Sequence, residues 1–76
     1  MKQDIAEEIV YHIGKRKEDF EIGLSRQYLM RVSYEENVGI NIGLYDRNSK
    51  EKIVSYTVND RYAMLQAVMN IIENPG

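Results

Sequence analysis

The stretch Val38-Gly39-Ile40-Asn41-Ile42-Gly43-Leu44 alternates apolar with small or polar residues without a miss. A period of two puts Val38, Ile40, Ile42 and Leu44 on one side of an extended chain and Gly39, Asn41 and Gly43 on the other. A helix would scatter the apolar set around its circumference, so the stretch is a strand with one face on a core. Its other face carries no large side chain from this strand. Small residues in mid-sheet mark a twist, a bulge or the close approach of another backbone, so the outer face poses the functional question.

The flanking segments repeat the pattern. Tyr28, Met30, Val32 and Tyr34 alternate with Leu29, Arg31 and Ser33, and the first set is expected inward. Glu35-Glu36-Asn37 is polar and short enough for a hairpin turn. Beyond Leu44 and Tyr45, Asp46-Arg47-Asn48-Ser49-Lys50 is a second turn-rich connector. Residues 52–58 then form a third strand, with Val54, Tyr56 and Val58 inward and Ile53, Ser55 and Thr57 outward. Connectors this short predict antiparallel pairing, because parallel strands need a long crossover. In residues 18–25, Phe20, Ile22 and Leu24 alternate with Glu21 and Gly23; a short strand and an extended connection that drops Phe20 and Ile22 into the core edge both fit, and the connection is favoured.

Two helices bracket the strands. Over residues 3–13, Ile5, Ala6, Ile9, Val10 and Ile13 make a stripe about 140° wide at about 100° per residue. Asp4, Glu7 and Glu8 lie where the helix dipole favours negative charge, and Gly14 before Lys15-Arg16-Lys17 is the expected end. Asn59-Asp60 opens the second helix with an N-cap acceptor. Leu65, Val68, Met69 and Ile72 are its expected centre, flanked by Tyr62, Met64 and Ile71, with Ala63, Gln66 and Asn70 on the polar side; Pro75 is expected to stop it near Glu73. The order is α-β-β-β-α. Both stripes need the one apolar sheet face, which predicts a two-layer α+β sandwich with a three-stranded meander and both helices on one side.

At 76 residues the chain has room for one domain, residues 1–76, with one modest core. Marginal stability or support from self-association is expected at this size. Ten Lys+Arg against twelve Asp+Glu leave a net charge of -2, which lacks the basic excess of a dedicated nucleic-acid binder. The absence of cysteine excludes a disulfide framework and thiolate zinc sites. No secretory leader pattern opens the chain and no apolar run nears the ~20 residues of a membrane span. A cytoplasmic protein with no membrane partner is the expectation.

Chemistry-bearing residues are sparse. His12 is the only histidine, at the border of the first helix's stripe, and no local nucleophile or carboxylate makes it catalytic. Glu18, Asp19 and Glu21 lack the regular ligand spacing and the glycine of a calcium loop. Gly39 and Gly43 stand in a strand, the wrong context for a phosphate loop. No catalytic residue, metal ligand or cofactor is therefore assigned, and the chain is read as no enzyme.

The element order is similar to that of double-stranded-RNA-binding domains. That family's functional signature is a lysine cluster at the start of the last helix. Here the position reads Asn59-Asp60-Arg61-Tyr62-Ala63-Met64, one cation and one acid, so the likeness is one of element order and the function is not carried over. The expectation is a small protein-interaction module, either a homodimer or a regulator or inhibitor of a larger protein. Its candidate face is Leu29, Arg31, Gly39, Asn41, Gly43, Ile53, Ser55 and Thr57, rimmed by Tyr45 and by Tyr34. The alternative is a nucleic-acid-binding module using Arg31, Arg47, Lys50, Lys52 and Tyr45.

Overall fold

Turn chemistry that the alternation does not reveal adds a fourth strand. The computed structural model describes residues 2–73, with side chains from Asp4 onward. The elements are α1 (Lys2–Arg16), β1 (Phe20–Gly23), β2 (Tyr28–Glu35), β3 (Gly39–Asp46), β4 (Lys52–Val58) and α2 (Arg61–Glu73). The strands form one antiparallel sheet in the order β1-β2-β3-β4. The expected meander is thus present but has four strands, and residues 18–25 are not a simple connection. Ser25 explains the difference. Its hydroxyl accepts from the Gln27 and Tyr28 amides at 3.2 and 3.1 Å, while the Leu24 and Ser25 amides both donate to the Tyr28 carbonyl at 3.1 Å. A serine hydroxyl thereby closes a hairpin without the Asn-Gly or Pro that usually marks one.

Register places the core. Phe20, Val32, Ile42 and Tyr56 stand in one row across the sheet; Ile22, Met30, Leu44 and Val54 make the next; Tyr34, Ile40 and Val58 make a third. All of them join one apolar cluster with Ala6, Ile9, Val10 and Ile13 of α1 and Met64, Ala67, Val68 and Ile71 of α2. Both helices therefore cover the same sheet face, and the described residues bury no polar or charged side chain. None of their helices is long and apolar enough to cross a membrane.

Three local expectations are corrected. Val38 lies in the β2–β3 turn rather than in the strand: its amide donates to the Glu35 carbonyl at 3.1 Å and its side chain is 53% exposed. Asn37, at φ 70°, makes the reversal there, a conformation asparagine tolerates well. The α2 stripe is also rotated. Ala67 and Met64 are buried, Ala63 is half-buried rather than on the polar side, and Tyr62 is 74% exposed. Asp60 is the N-cap, its carboxylate accepting from Ala63 N at 2.8 Å. The expected stop at Pro75 lies outside the described residues.

The third correction is the end of α1. The helix passes through Gly14, which faces open space, and Lys17 at φ 54° takes the left-handed position instead. Tertiary contacts hold the extra turn. The Tyr34 hydroxyl donates to the Ile13 carbonyl, and the Arg16 guanidinium lies over the Phe20 ring, 5.1 Å from its centroid. Asp19 then fixes the exit by accepting the Tyr34 amide at 2.8 Å.

Burial raises the Tyr34 pKa above its ordinary 10.0, against the opposing hydrogen bond from the Lys17 backbone. The raised value means the native state holds this proton more tightly than the unfolded chain. Its contribution to stability is complete below pH ~10 and is lost as pH rises through the folded pKa. Tyr34→Phe should lose about 0.5–1.5 kcal/mol at neutral pH, measured by urea unfolding. It should also flatten the decline in stability that the unmodified chain shows above pH ~10. Parallel declines in the two proteins would refute the assignment.

Candidate interaction surface

The helix-free face is built from the alternate residues of all four strands. One row across it reads Glu21, Arg31, Gly43, Ser55; the next reads Gly23, Leu29, Tyr45, Lys52; on the other side stand Ser33, Asn41 and Thr57, then Glu35 with Gly39. The register slips between Leu44 and Tyr45. Ile53 is passed over there and left 44% exposed.

The centre of this face is not bare. Arg31 Nε and Nη2 both donate to Glu21 Oε2, at 2.8 and 2.6 Å, and the same guanidinium sits 5.1 Å from the Tyr45 ring centroid. The hydrogen bond to Glu21 is the chief reason the Arg31 pKa is raised. Beneath them the Tyr45 ring lies over Gly43, where a Cβ would come within 2.8 Å of Tyr45 Cε1. The aromatic fills the place a side chain would take, as a ring does for a glycine in a strand. Glu21, Arg31 and Tyr45 thus form a stack laid across β1, β2 and β3. Beside it, Asn41 Nδ2 donates to Thr57 Oγ1 at 3.3 Å.

Gly39 has a different role. Its φ of 134° lies outside the range of ordinary side chains, and a Cβ there would strike Asn59 Oδ1 and the Val58 carbonyl. This glycine permits close approach between the start of β3 and the end of β4. It also stands on the helix-free face, paired with Glu35.

The fold therefore brings Leu29, Arg31, Gly39, Asn41, Gly43, Tyr45, Ser55 and Thr57 to one side, with Ile53 at its margin. Tyr34 is elsewhere, on the helix side, bonded to Ile13. Glu21 and Ser33 were not among the expected face residues. Glu21 is legible only once residues 20–23 are paired as a strand, although the alternation of Phe20 and Ile22 with Glu21 and Gly23 carried the signal.

The basic residues of the alternative reading differ in their partners. Arg31 is held by Glu21. Arg47 leans on Gly23, with its amide on the Gln27 carbonyl at 2.8 Å and Nε toward the Tyr28 carbonyl at 3.4 Å. Lys50 and Lys52 are exposed at the β3–β4 hairpin. That hairpin is organised by Asp46, whose carboxylate accepts the Asn48 and Ser49 amides at 2.8 and 3.1 Å. Those bonds, the one from Ser49 foremost, lower its pKa. His12 is exposed, edge-on to the Tyr11 ring with centroids 5.7 Å apart. No family model matches the chain, and the searches of curated proteins and of solved structures returned no match.

Proposed function

We propose that this protein is a small non-catalytic interaction module whose helix-free sheet face binds another protein, as one half of a homodimer or as a regulator of a larger partner. The observation that carries the reading is Tyr45, whose ring covers Gly43 and meets the Arg31 guanidinium. Tyr and Arg are the residues most often found as interface anchors. An anchor already fixed in the free protein gives up little conformational entropy on binding. Half-buried Leu29 and exposed Ile53 supply apolar area on either side.

A crosslinking pull-down with the unmodified chain, Tyr45→Ala and Leu29→Glu tests it. Both variants should retain the helical and sheet circular dichroism of the parent and lose at least tenfold of the captured partner, the cost of removing a central anchor being ~2 kcal/mol or more. Unchanged capture by both folded variants would end this reading. The nucleic-acid alternative has less support, since its central cation, Arg31, is already neutralised by Glu21. It requires oligonucleotide binding that weakens steeply with salt.

A further inference from the structure

We propose that β4 is a pairing edge for a second copy of this chain, joining two four-stranded sheets into one continuous antiparallel sheet about a two-fold axis at Tyr56. The strand order β1-β2-β3-β4 gives the sheet two edges, and they are built differently. β1 has four residues, carries Glu21 ion-paired to Arg31, follows Glu18 and Asp19, and ends on Gly23. Short, charged edges of this kind discourage further strand addition.

β4 has a charge and an irregularity only at its first residues, Lys52 and Ile53. It runs seven residues, Lys52–Val58, and from Ile53 onward holds no charge, proline or glycine. All but Ser55 of Ile53-Val54-Ser55-Tyr56-Thr57-Val58 are β-branched or aromatic, the composition best suited to pairing. The register slip falls at its first residues, so Val54–Val58 is regular. Along that span the backbone has a strand on one side only among the described residues.

A second copy fits this edge on both faces and at its ends. In the antiparallel register that sets Tyr56 opposite its own counterpart, Val54 meets Val58 and Ser55 meets Thr57. Apolar helix-side residues are then matched with each other, and hydroxyls on the outer face likewise. The same register brings Lys52 of each copy toward Asp60 of the other. A slip of one residue sets inward against outward side chains, and a slip of two either sets Lys52 against Val58 or carries Asp60 past Lys52 to Val54. The contact is isologous, so it closes at two copies and does not propagate. Edge pairing leaves the helix-free faces of both copies uncovered; it extends the interaction reading without depending on it.

Sedimentation equilibrium and hydrogen exchange test the proposal on the full chain. Mass should rise from one chain toward two between roughly 1 and 100 μM, the affinity range of a small interface. Amides of residues 53–58 should gain protection over the same range while those of 20–23 do not. Thr57→Lys replaces an exposed side chain, so it should keep the parent's circular dichroism. Because the axis sets the two introduced lysines diagonally across from each other, it should weaken the dimer at least tenfold. Gln66→Lys, at an exposed position on α2, should leave the dimer intact. A single-chain mass at every concentration with exchange of 53–58 unchanged would overturn the proposal. So would a dimer that survives Thr57→Lys but is lost in Leu29→Glu, a result that would instead assign self-association to the face.

Discussion

Ile42→Ala is expected to remove about 2–5 kcal/mol of stability, the cost of deleting a large aliphatic side chain from a site that cannot collapse. Ile42 is fully buried, at the middle of β3, with Val32 and Tyr56 on either side of it in its row. β3 is an inner strand with partners on both sides, so the backbone has little freedom to move into the space. A domain of this size has total stability of order 5–10 kcal/mol, so the loss is a large fraction of what holds the chain folded. Urea unfolding followed by circular dichroism should show the midpoint falling sharply with an unchanged slope. A shift worth less than about 1 kcal/mol would mean that the centre of the core lies elsewhere.

Gly39→Ala should be the more damaging of the two glycine substitutions in β3, and its cost has two sources. At φ 134° an alanine is strained whatever surrounds it, at about 1–3 kcal/mol. The new methyl would in addition meet the Val58 carbonyl and Asn59 Oδ1, and the first of these is backbone already paired in the sheet. Gly43→Ala makes the contrast. Its methyl would come within 2.8 Å of Tyr45 Cε1 and 3.6 Å of Ser55 Cβ, and the ring can tilt away. Its cost should stay below about 1 kcal/mol, partly offset by better strand propensity. The tilted ring should, however, leave Arg31 and weaken partner capture in the crosslinking assay. Thermal unfolding of the two variants side by side settles the comparison: equal losses would contradict the division into one glycine required by its φ and one covered by a ring that can move.

The reading of residues 18–25 shows why pattern alone stopped short. Phe20, Glu21, Ile22 and Gly23 have the alternation of a strand, but four residues are too few to outweigh an unmarked turn. What decides the matter is the Ser25 hydroxyl capturing the Gln27 and Tyr28 amides, a local turn that serine marks only weakly in a sequence. Gly14 shows the same limit from the other side. A glycine before three cations is a fair helix end by local rules, yet the Tyr34 hydroxyl, distant in sequence, and the Phe20 ring, just beyond the helix, carry it to Arg16. The open face was only half legible for the same reason. Alternation placed Leu29, Arg31, Asn41, Gly43, Ser55 and Thr57 on one side, whereas the ring of Tyr45 over Gly43 depends on cross-strand register.

The period-two and period-3.6 patterns were enough for the α+β class, for β2, β3 and β4, for the two helices and for the inward rows centred on Ile42. Those properties follow from burial of apolar faces, which is local in the chain and written directly in residue order. The fourth strand, the end of α1, the rotation of α2 and the Glu21–Arg31–Tyr45 stack were decided by the tertiary structure. The end of α1 and the stack rest on contacts that strand pairing and helix packing bring together, the rotation of α2 on which of its sides meets the core, and the fourth strand on a serine-closed turn that leaves no mark in the alternation.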